Sequence, residues 1–451
     1  MDEETPLLDV TKSEYKQEPF WTTTWHLFRD AYPISLGYLL QSSIQLGTIF
    51  IVGNIGPFEL AVTGSSFMIA TCTAWLIGTG GTTALDTLGS QALGRDAHTR
   101  HISLLLQQCL LVVTLLYIPV CLSWCFIAPI LLAFGQPEEL AYGTQAFLRC
   151  LAPSGLAYIY FETLKKYLQL QDIRLPGIVI LSVTSALNVC LNYISANVYG
   201  WGMIGGALIT GVMYWLACLS LTAYTMFVDG HQLWDGFSSK ILTGVSKFIR
   251  TAILGIVMIG AEWWAFEITS IAAGTMGRIP TAAQSILTTT DSLLALIPLG
   301  IGITTTNSVG AYLGAGNTKQ AQAVARSSNF IAVANGVVTM TLIVTLRYHI
   351  ARLYTKDTAV ITLAADVFPL GALFQIFDGL QAANSGVLRG LGRVDIGAGA
   401  NIVAYYCLYT AFQLGWGLHG LWIALAFALS LVGFGELGMV TFRRWEKLSR
   451  V

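Results

Sequence analysis

The chain has 451 residues, of which 54% are hydrophobic and only 11% are charged, and its formal net charge is −1. A soluble globular domain carries about 25% charged residues, so this composition indicates an integral membrane protein with many spans. Because one spanning helix needs about 20 apolar residues, the length accommodates a series of helices and no separate soluble domain. The near-zero net charge argues against nucleic acid as a partner.

Apolar runs bounded by charged residues, glycine and proline predict an all-α protein with twelve membrane-spanning helices. We expect them near residues 28–52, 58–89, 100–133, 138–171, 174–196, 202–226, 247–273, 280–311, 320–352, 358–391, 395–413 and 418–443. Residues 1–27 form a predicted cytoplasmic N-terminal tail, 227–246 a cytoplasmic linker and 445–451 a cytoplasmic C-terminal tail.

The basic residues are concentrated on one predicted side of the membrane. If the N-terminus is cytoplasmic, only four of the 24 lysines and arginines fall outside, namely Arg278, Arg347, Arg352 and Lys356. This bias follows the positive-inside rule and predicts that both termini are cytoplasmic. In this scheme the charged group Glu162, Lys165 and Lys166 is interpreted as a solvated helix end on the inside.

Three short motifs recur in the two halves of the chain, at offsets between 215 and 221 residues. Gln91–Gly94 pairs with Ala311–Gly314, Gly200–Gly205 with Gly415–Gly420, and Gly53–Gly56 with Gly274–Gly277. The repeat predicts two pseudo-symmetric six-helix bundles, an N-lobe at 28–226 and a C-lobe at 247–444. Because six is even, both copies enter the membrane in the same sense, and the arrangement suits a rocking motion.

Two carboxyl groups interrupt the apolar run from about residue 253 to 273. Glu262 and Glu267 lie there, although a charged side chain at the bilayer centre costs roughly 2.5–3.5 kcal/mol on insertion scales. They are five residues apart and therefore point about 140° apart on a helix, so they serve two environments. A buried carboxyl group can hold a proton or ionise to meet a cation, and that competition is the chemistry of an antiporter.

Three segments resemble signatures of the multidrug and toxic compound extrusion (MATE) transporters of the eukaryotic branch. They are Ala84–Ala92 in the second helix, Glu262–Glu267 in the seventh and Gly386–Gly390 at the end of the tenth. The resemblance implies a V-shaped pair of lobes and export of organic compounds driven by inward proton or sodium flow. It also places Asp378 on the tenth helix opposite the seventh, so we expect Glu262 and Asp378 to form the nearest pair, with no basic residue at matching depth in either helix.

Other polar and aromatic side chains in the spans are candidates for contact with substrate. Aromatic faces attract organic cations, and amides can bond either a substrate or a neighbouring helix. The candidates are Gln41, Gln45, Gln284, Asn307 and Asn384 among the amides and Trp263, Phe266 and Phe374 among the aromatic residues. Residues 31–52 of the first helix offer Gln41 and Gln45 but no carboxylate. Gln41 precedes Glu262 by the repeat offset of 221, which predicts an asymmetric coupling machinery.

The sequence therefore predicts a secondary active antiporter that exports organic cations in exchange for protons. Sodium coupling and export of organic anions such as citrate are alternatives, and a lipid-linked-precursor flippase or a non-transporting receptor fits less well. No nucleotide-binding loop, metal-ligand spacing or catalytic motif is present, so neither an enzyme nor a cofactor is expected. The transporter is predicted to act as a monomer. It is placed in the plasma membrane or in a vacuolar or lysosomal membrane, partly because Glu3–Leu8 resembles an acidic dileucine sorting signal.

Overall fold

The computed structural model describes residues 18–96, 101–402, 417–442 and 445, and all regular structure in these ranges is helical. A chain that crosses hydrocarbon must satisfy its backbone hydrogen bonds internally, which an α-helix does within one segment. Ten of the described helices are long and apolar enough to cross a membrane, by length and composition. The prediction of an all-helical membrane protein is confirmed.

The first half of the chain forms six long helices. They are α1 at Phe20–Gly53, α2 at Pro57–Arg95, α3 at His101–Cys125, α4 at Glu138–Leu170, α5 at Leu175–Asn197 and α6 at Gly202–Phe227. A short helix at Ala128–Ala133 follows α3, and α2 contains two π-helical segments at Thr71–Trp75 and Ile77–Gly81. With 34 residues, α1 is about 51 Å long and exceeds the hydrocarbon thickness of roughly 30 Å.

The second half repeats this pattern. Its helices are α7 at Val245–Thr275, α8 at Arg278–Gly314 with a break at Ala295, α9 at Thr318–Tyr354, α10 at Thr358–Gly390, α11 at residues 394–402 and α12 at Gly417–Phe442. Each of the twelve predicted helices thus has a counterpart. The predicted eleventh helix continues to residue 413, but residues 403–413 lie outside the described ranges.

Local sequence signals set several helix ends. The Asp357 carboxylate accepts a hydrogen bond from the backbone N–H of Ala359 at 2.9 Å and starts α10, and Asn317 caps α9 in the same way through the N–H of Gln320 at 3.1 Å. Gly277, before α8, has a φ of +113°, a conformation that side chains with a Cβ rarely adopt.

The repeat is visible in the helix bounds. Both ends of α4 and α10 differ by 220 residues, from 138 to 358 and from 170 to 390. Both ends of α6 and α12 differ by 215 residues, from 202 to 417 and from 227 to 442. The glycines that open α6 and α12 even share a positive φ, +59° at Gly202 and +62° at Gly417. These offsets define equivalent positions in the two halves.

The contacts divide the chain into two compact units. The N-unit comprises residues 36–85 and 98–256, and the C-unit comprises the described parts of residues 1–35, 86–97 and 257–451. The predicted lobe limits, 28–226 and 247–444, remain predictions. The core of the N-unit is aromatic: the ring of Trp75 stacks on that of Tyr158 with centroids 4.1 Å apart, and Trp124 and Tyr214 pack edge-on against Trp75.

The C-unit has its own apolar core, centred on α10. Phe374 is fully buried and packs edge-on against Trp422 of α12 at 5.9 Å and against Phe266 of α7 at 5.6 Å. A second cluster of buried residues includes Leu27, Ile301 and Leu388. Since α10 contributes to both clusters, it is the element around which this unit is packed.

The interpretation of Glu162, Lys165 and Lys166 as a solvated helix end is wrong. The Lys165 ammonium lies 2.5 Å from a Glu162 carboxylate oxygen, and the two side chains are 6% and 0% exposed. Lys165 also donates to Gln41 Oε1 at 2.8 Å and lies 3.7 Å from the centre of the Tyr38 ring. Buried charges persist when they are paired and hydrogen-bonded, and this pair meets both conditions.

Candidate ion-coupling site

The C-unit brings Glu262 of α7 and Asp378 of α10 together, as the sequence predicts. Their carboxyl groups meet at hydrogen-bonding distance. Asp378 is only 3% exposed, whereas Glu262 is half-buried. Among the described residues no hydrogen-bond donor reaches Asp378 Oδ2. An ionised carboxylate only accepts hydrogen bonds, so a hydrogen bond between the two carboxyl groups requires a proton on one of them.

Two further buried carboxyl groups lie in the same unit. Asp291 of α8 accepts a hydrogen bond from Gln375 Nε2 at 2.6 Å. Glu436 of α12 accepts from the Ser385 hydroxyl, which lies 3.2 and 3.1 Å from its two oxygens. Both carboxyl groups are near enough to Glu262 to interact with it electrostatically. Glu436 was not among the residues predicted from the sequence, although an acid inside the apolar run of α12 carries the same signal as Glu262.

A single buried guanidinium faces this group of acids in the described structure. Arg389 of α10 is 5% exposed, and its Nε donates to the Thr306 hydroxyl at 3.1 Å. It interacts electrostatically with Glu262 and with Glu436. Arg389 lies eleven residues beyond Asp378, in the last turn of α10, so the expectation that no basic residue lies at matching depth stays a prediction. Its long side chain nevertheless brings a positive charge near the acids.

The polar residues of α10 lie on one face of the helix. Gln375, Asp378, Ser385 and Arg389 are spaced by 3, 7 and 4 residues, which at 100° per residue keeps them within about 80° of one another. From Gln375 to Arg389 the face extends about 21 Å along the helix axis, at 1.5 Å per residue. We call Glu262, Asp291, Asp378 and Glu436 with Arg389 the acidic cluster. It runs along this face.

The remaining C-unit candidates lie around the cluster in different environments. Glu267 is partly buried on α7, which is a continuous α-helix through both glutamates. Gln284 is 1% exposed and accepts a hydrogen bond from Trp422 Nε1 at 2.8 Å. Asn384 is buried, donates to the Leu380 carbonyl at 2.9 Å and accepts from Asn329. These contacts give Gln284 and Asn384 fixed places between helices.

The aromatic candidates differ in how far they are accessible. Phe374 is fully buried against Trp422, whereas Trp263 and Phe266 are partly exposed. Asn307 is also partly exposed, and its Oδ1 has no hydrogen-bond partner within the described residues. Unlike Phe374, the side chains of Trp263, Phe266 and Asn307 therefore have exposed surface that a ligand could contact.

Gln41 and Gln45 lie in the N-unit. Among the described residues, their contacts are with a lysine and with tyrosine hydroxyls. Gln41 is 3% exposed and accepts from Lys165, and its side chain also lies close to the Tyr158 hydroxyl. Gln45 is partly buried near the Tyr214 hydroxyl. Within the described residues, no three or more His, Cys, Asp or Glu side chains are grouped so that they could hold a metal ion.

Two sets of helices with a shared internal repeat, together with a cluster of acids buried in one of them, are typical of a secondary transporter. The MatE family profile matches residues 33–194 and 256–414 of the chain. The chain therefore belongs to the MATE family, the multidrug and toxic compound extrusion transporters. It is a multi-pass integral membrane protein.

Similar proteins are found across eukaryotes. An uncharacterized transporter of Schizosaccharomyces pombe is 34% identical over 97% of this chain and 82% of its own length. Protein DETOXIFICATION 16 of Arabidopsis thaliana is 31% identical over 92% of this chain and 88% of its own length. The crystal structure of the eukaryotic MATE transporter AtDTX14 superposes with a TM-score of 0.90 at 28% identity, covering 96% of this chain and 98% of the other. The predicted eukaryotic branch of the family is confirmed.

Proposed function

We propose that the chain exports organic cations in exchange for protons, and that Glu262 and Asp378 carry the coupled proton. The observation that supports this most directly is the contact between the two carboxyl groups beside Asp291 and Glu436. If all four acids and Arg389 were ionised, the acidic cluster would carry a net charge of −3. Like charges in a low-dielectric environment disfavour that state, so the Glu262/Asp378 pair takes up a proton or a cation.

The exchange follows from competition for the same carboxyl groups. A proton on the Glu262/Asp378 pair neutralises it and removes its attraction for an organic cation. Loss of the proton restores a negative charge next to Trp263 and Phe266, whose partly exposed rings add a cation–π attraction. The two ligands drive transport only if each binds one arrangement of the helices better than the other. Glu267, partly buried on α7, is proposed to face the substrate pathway.

The remaining parts of the proposal concern placement and assembly. Both termini are proposed to be cytoplasmic, because the excess of lysine and arginine falls on that side. The protein is proposed to work as a monomer in the plasma membrane or in a vacuolar or lysosomal membrane. Its partners are a small organic substrate, the coupling ion and the lipid bilayer.

The test is transport by the purified protein in sealed proteoliposomes with an imposed gradient of either protons or sodium. The compounds are the organic cations tetraethylammonium and ethidium and the anion citrate. We expect the proton gradient to drive the cations, and we expect Glu262→Gln and Asp378→Asn each to abolish this drive. Glu138→Gln, an exposed acid at the start of α4, is the matched control and keeps the wild-type rate.

Each alternative predicts a different result. Transport that follows only the sodium gradient replaces the proton with sodium as the coupling ion, and citrate transport without cation transport replaces the substrate class. Wild-type rates in both Glu262→Gln and Asp378→Asn contradict the coupling role of the pair. Movement of no compound by either gradient contradicts antiport altogether.

A further inference from the structure

Glu436 is a buried acid that the exchange described above does not use. It is 1% exposed near the end of α12, and the Ser385 hydroxyl is the hydrogen-bond donor to its two oxygens. The charged groups that interact with it are Arg389 from α10 and Glu262 from α7. Residues 394–402 pack against it through Gly397, where an added Cβ would lie 3.2 Å from Glu436 Oε1 and 2.6 Å from Met258 Cε.

These contacts place Glu436 on one particular side of the coupling pair. Met258 is one helical turn before Glu262 on α7, and Ser385 is seven residues, or about 10 Å, beyond Asp378 on α10. Both shifts lead toward the Arg389 end of α10, which the positive-inside rule predicts to be cytoplasmic. Glu436 therefore lies between the Glu262/Asp378 pair and the predicted cytoplasmic surface.

We propose that Glu436 is the proton relay through which the Glu262/Asp378 pair releases its proton toward the cytoplasm. The proton leaves one carboxyl group of the pair, binds the Glu436 carboxylate, and then passes to water at the Arg389 end, so that each acid returns to its starting state. Ser385, which contacts Glu436, lies about 10 Å along α10 from Asp378, farther than one hydrogen bond reaches, so we expect intervening water or rotation of the glutamate side chains to complete each transfer. This relay rests on the proposed proton exchange.

The repeat separates this role from a purely structural one. At the offset of 215 that relates α12 to α6, the position of Glu436 is occupied in the N-unit by Leu221, which is fully buried. The fold thus accepts an apolar side chain at this position. A buried acid costs free energy that a leucine does not, and here the acid stands beside Arg389 and the acid pair, where a proton acceptor is useful.

The test compares two transport modes in sealed vesicles of a single orientation, selected through an affinity tag on one terminus. Exchange of labelled for unlabelled tetraethylammonium at equal pH needs no proton to cross, whereas proton-driven transport does. We expect Glu436→Gln to slow proton-driven transport roughly a hundredfold, the lower end of the usual effect of an acid–base group, and to leave the exchange near the wild-type rate. We also expect the rate of proton-driven transport by Glu436→Gln to lose the wild-type dependence on cytoplasmic-side pH while keeping the dependence on external pH.

Two further variants guard against a folding defect. Glu436→Asp keeps a carboxyl group and is expected to restore most of the proton-driven rate. Glu436→Leu, which copies Leu221, is expected to fold and to show the same selective loss of proton-driven transport as Glu436→Gln. Equal loss of both transport modes, or an unchanged pH profile in Glu436→Gln, overturns the relay. Absence of proton-driven transport in the wild-type protein overturns the proposed function, and the relay with it.

Discussion

The two halves of the chain place different chemistry at equivalent positions. The helix offsets pair three acids of the C-unit with residues of the N-unit that do not ionise near neutral pH: Glu262 with Gln41, Asp378 with Tyr158, and Glu436 with Leu221. Even the contact is repeated, because Gln41 lies near the Tyr158 hydroxyl as Glu262 lies near Asp378. Since one copy folds without these acids, the fold does not require them, and their presence in the other copy indicates function.

The N-unit has buried charges of its own, on Glu162, Lys165 and Lys166. Glu162 and Lys165 form one ion pair, and the Tyr38 hydroxyl donates to Glu162 Oε2 at 3.1 Å. The acidic cluster of the C-unit instead combines four acids with one arginine. A balanced pair stabilises one arrangement, whereas an excess of acids changes its charge when a proton or cation binds. The four predictions below test this contrast.

The largest effect on stability is expected when the Glu162–Lys165 ion pair of the N-unit is broken. Glu162→Gln leaves the Lys165 ammonium buried without its carboxylate, and removal of one partner of a buried ion pair typically costs about 3–5 kcal/mol. We expect a large decrease in the unfolding temperature in detergent, followed through tryptophan fluorescence. The double variant Glu162→Gln/Lys165→Met removes both charges and should recover most of the loss. If the single variant is as stable as the wild type, the pair is not the balanced element that we describe.

The second prediction moves the acid from one half to the other. The variant Glu262→Gln/Gln41→Glu keeps the number of acids, but it places the new carboxyl group in the N-unit, beside Lys165 and Tyr158. We expect it to lose proton-driven transport by about a hundredfold, or about 2.8 kcal/mol at 1.4 kcal/mol per tenfold. Gln41→Glu alone, measured in the same proteoliposomes, should retain proton drive. Recovery of drive in the double variant would show that the two positions are interchangeable and would contradict the asymmetry.

The sequence predicted the acid pair well and its surroundings less well. Glu262 and Asp378 could be found because an acid in an apolar helix is costly and because α7 and α10 follow the pattern of a known family. Arg389 and Glu436 were missed as members of the cluster because the helix that a side chain faces depends on tertiary packing. Lys165 was misplaced for a related reason: lysines near a helix end look solvated until the carboxylate, amide and aromatic ring that surround them are known.

The third prediction concerns how the C-unit fixes Gln284. Trp422 Nε1 donates to Gln284 Oε1 at 2.8 Å, and both side chains are 1% exposed. Trp422→Phe keeps an aromatic ring in the core but leaves the amide oxygen without its donor, which should cost about 1–3 kcal/mol. Thermal unfolding of this variant should be compared with that of Trp422→Phe/Gln284→Leu, which removes both polar groups and should be more stable than the single variant. If the order is reversed, the hydrogen bond does not stabilise the unit.

The smallest effect is expected at the N-unit counterpart of Asp378. Tyr158→Phe removes the hydroxyl near Gln41 and Thr79 but keeps the ring that stacks on Trp75 at 4.1 Å, so the free energy of unfolding should fall by only about 1 kcal/mol. Proton-driven transport should stay close to the wild-type rate, because a hydroxyl paired with an amide holds no exchangeable charge near neutral pH. The comparison is with Asp378→Asn in the same assay, where the drive should be lost. If Tyr158→Phe lost the drive while it kept its stability, protons would pass through both halves, and the coupling machinery would be symmetric after all.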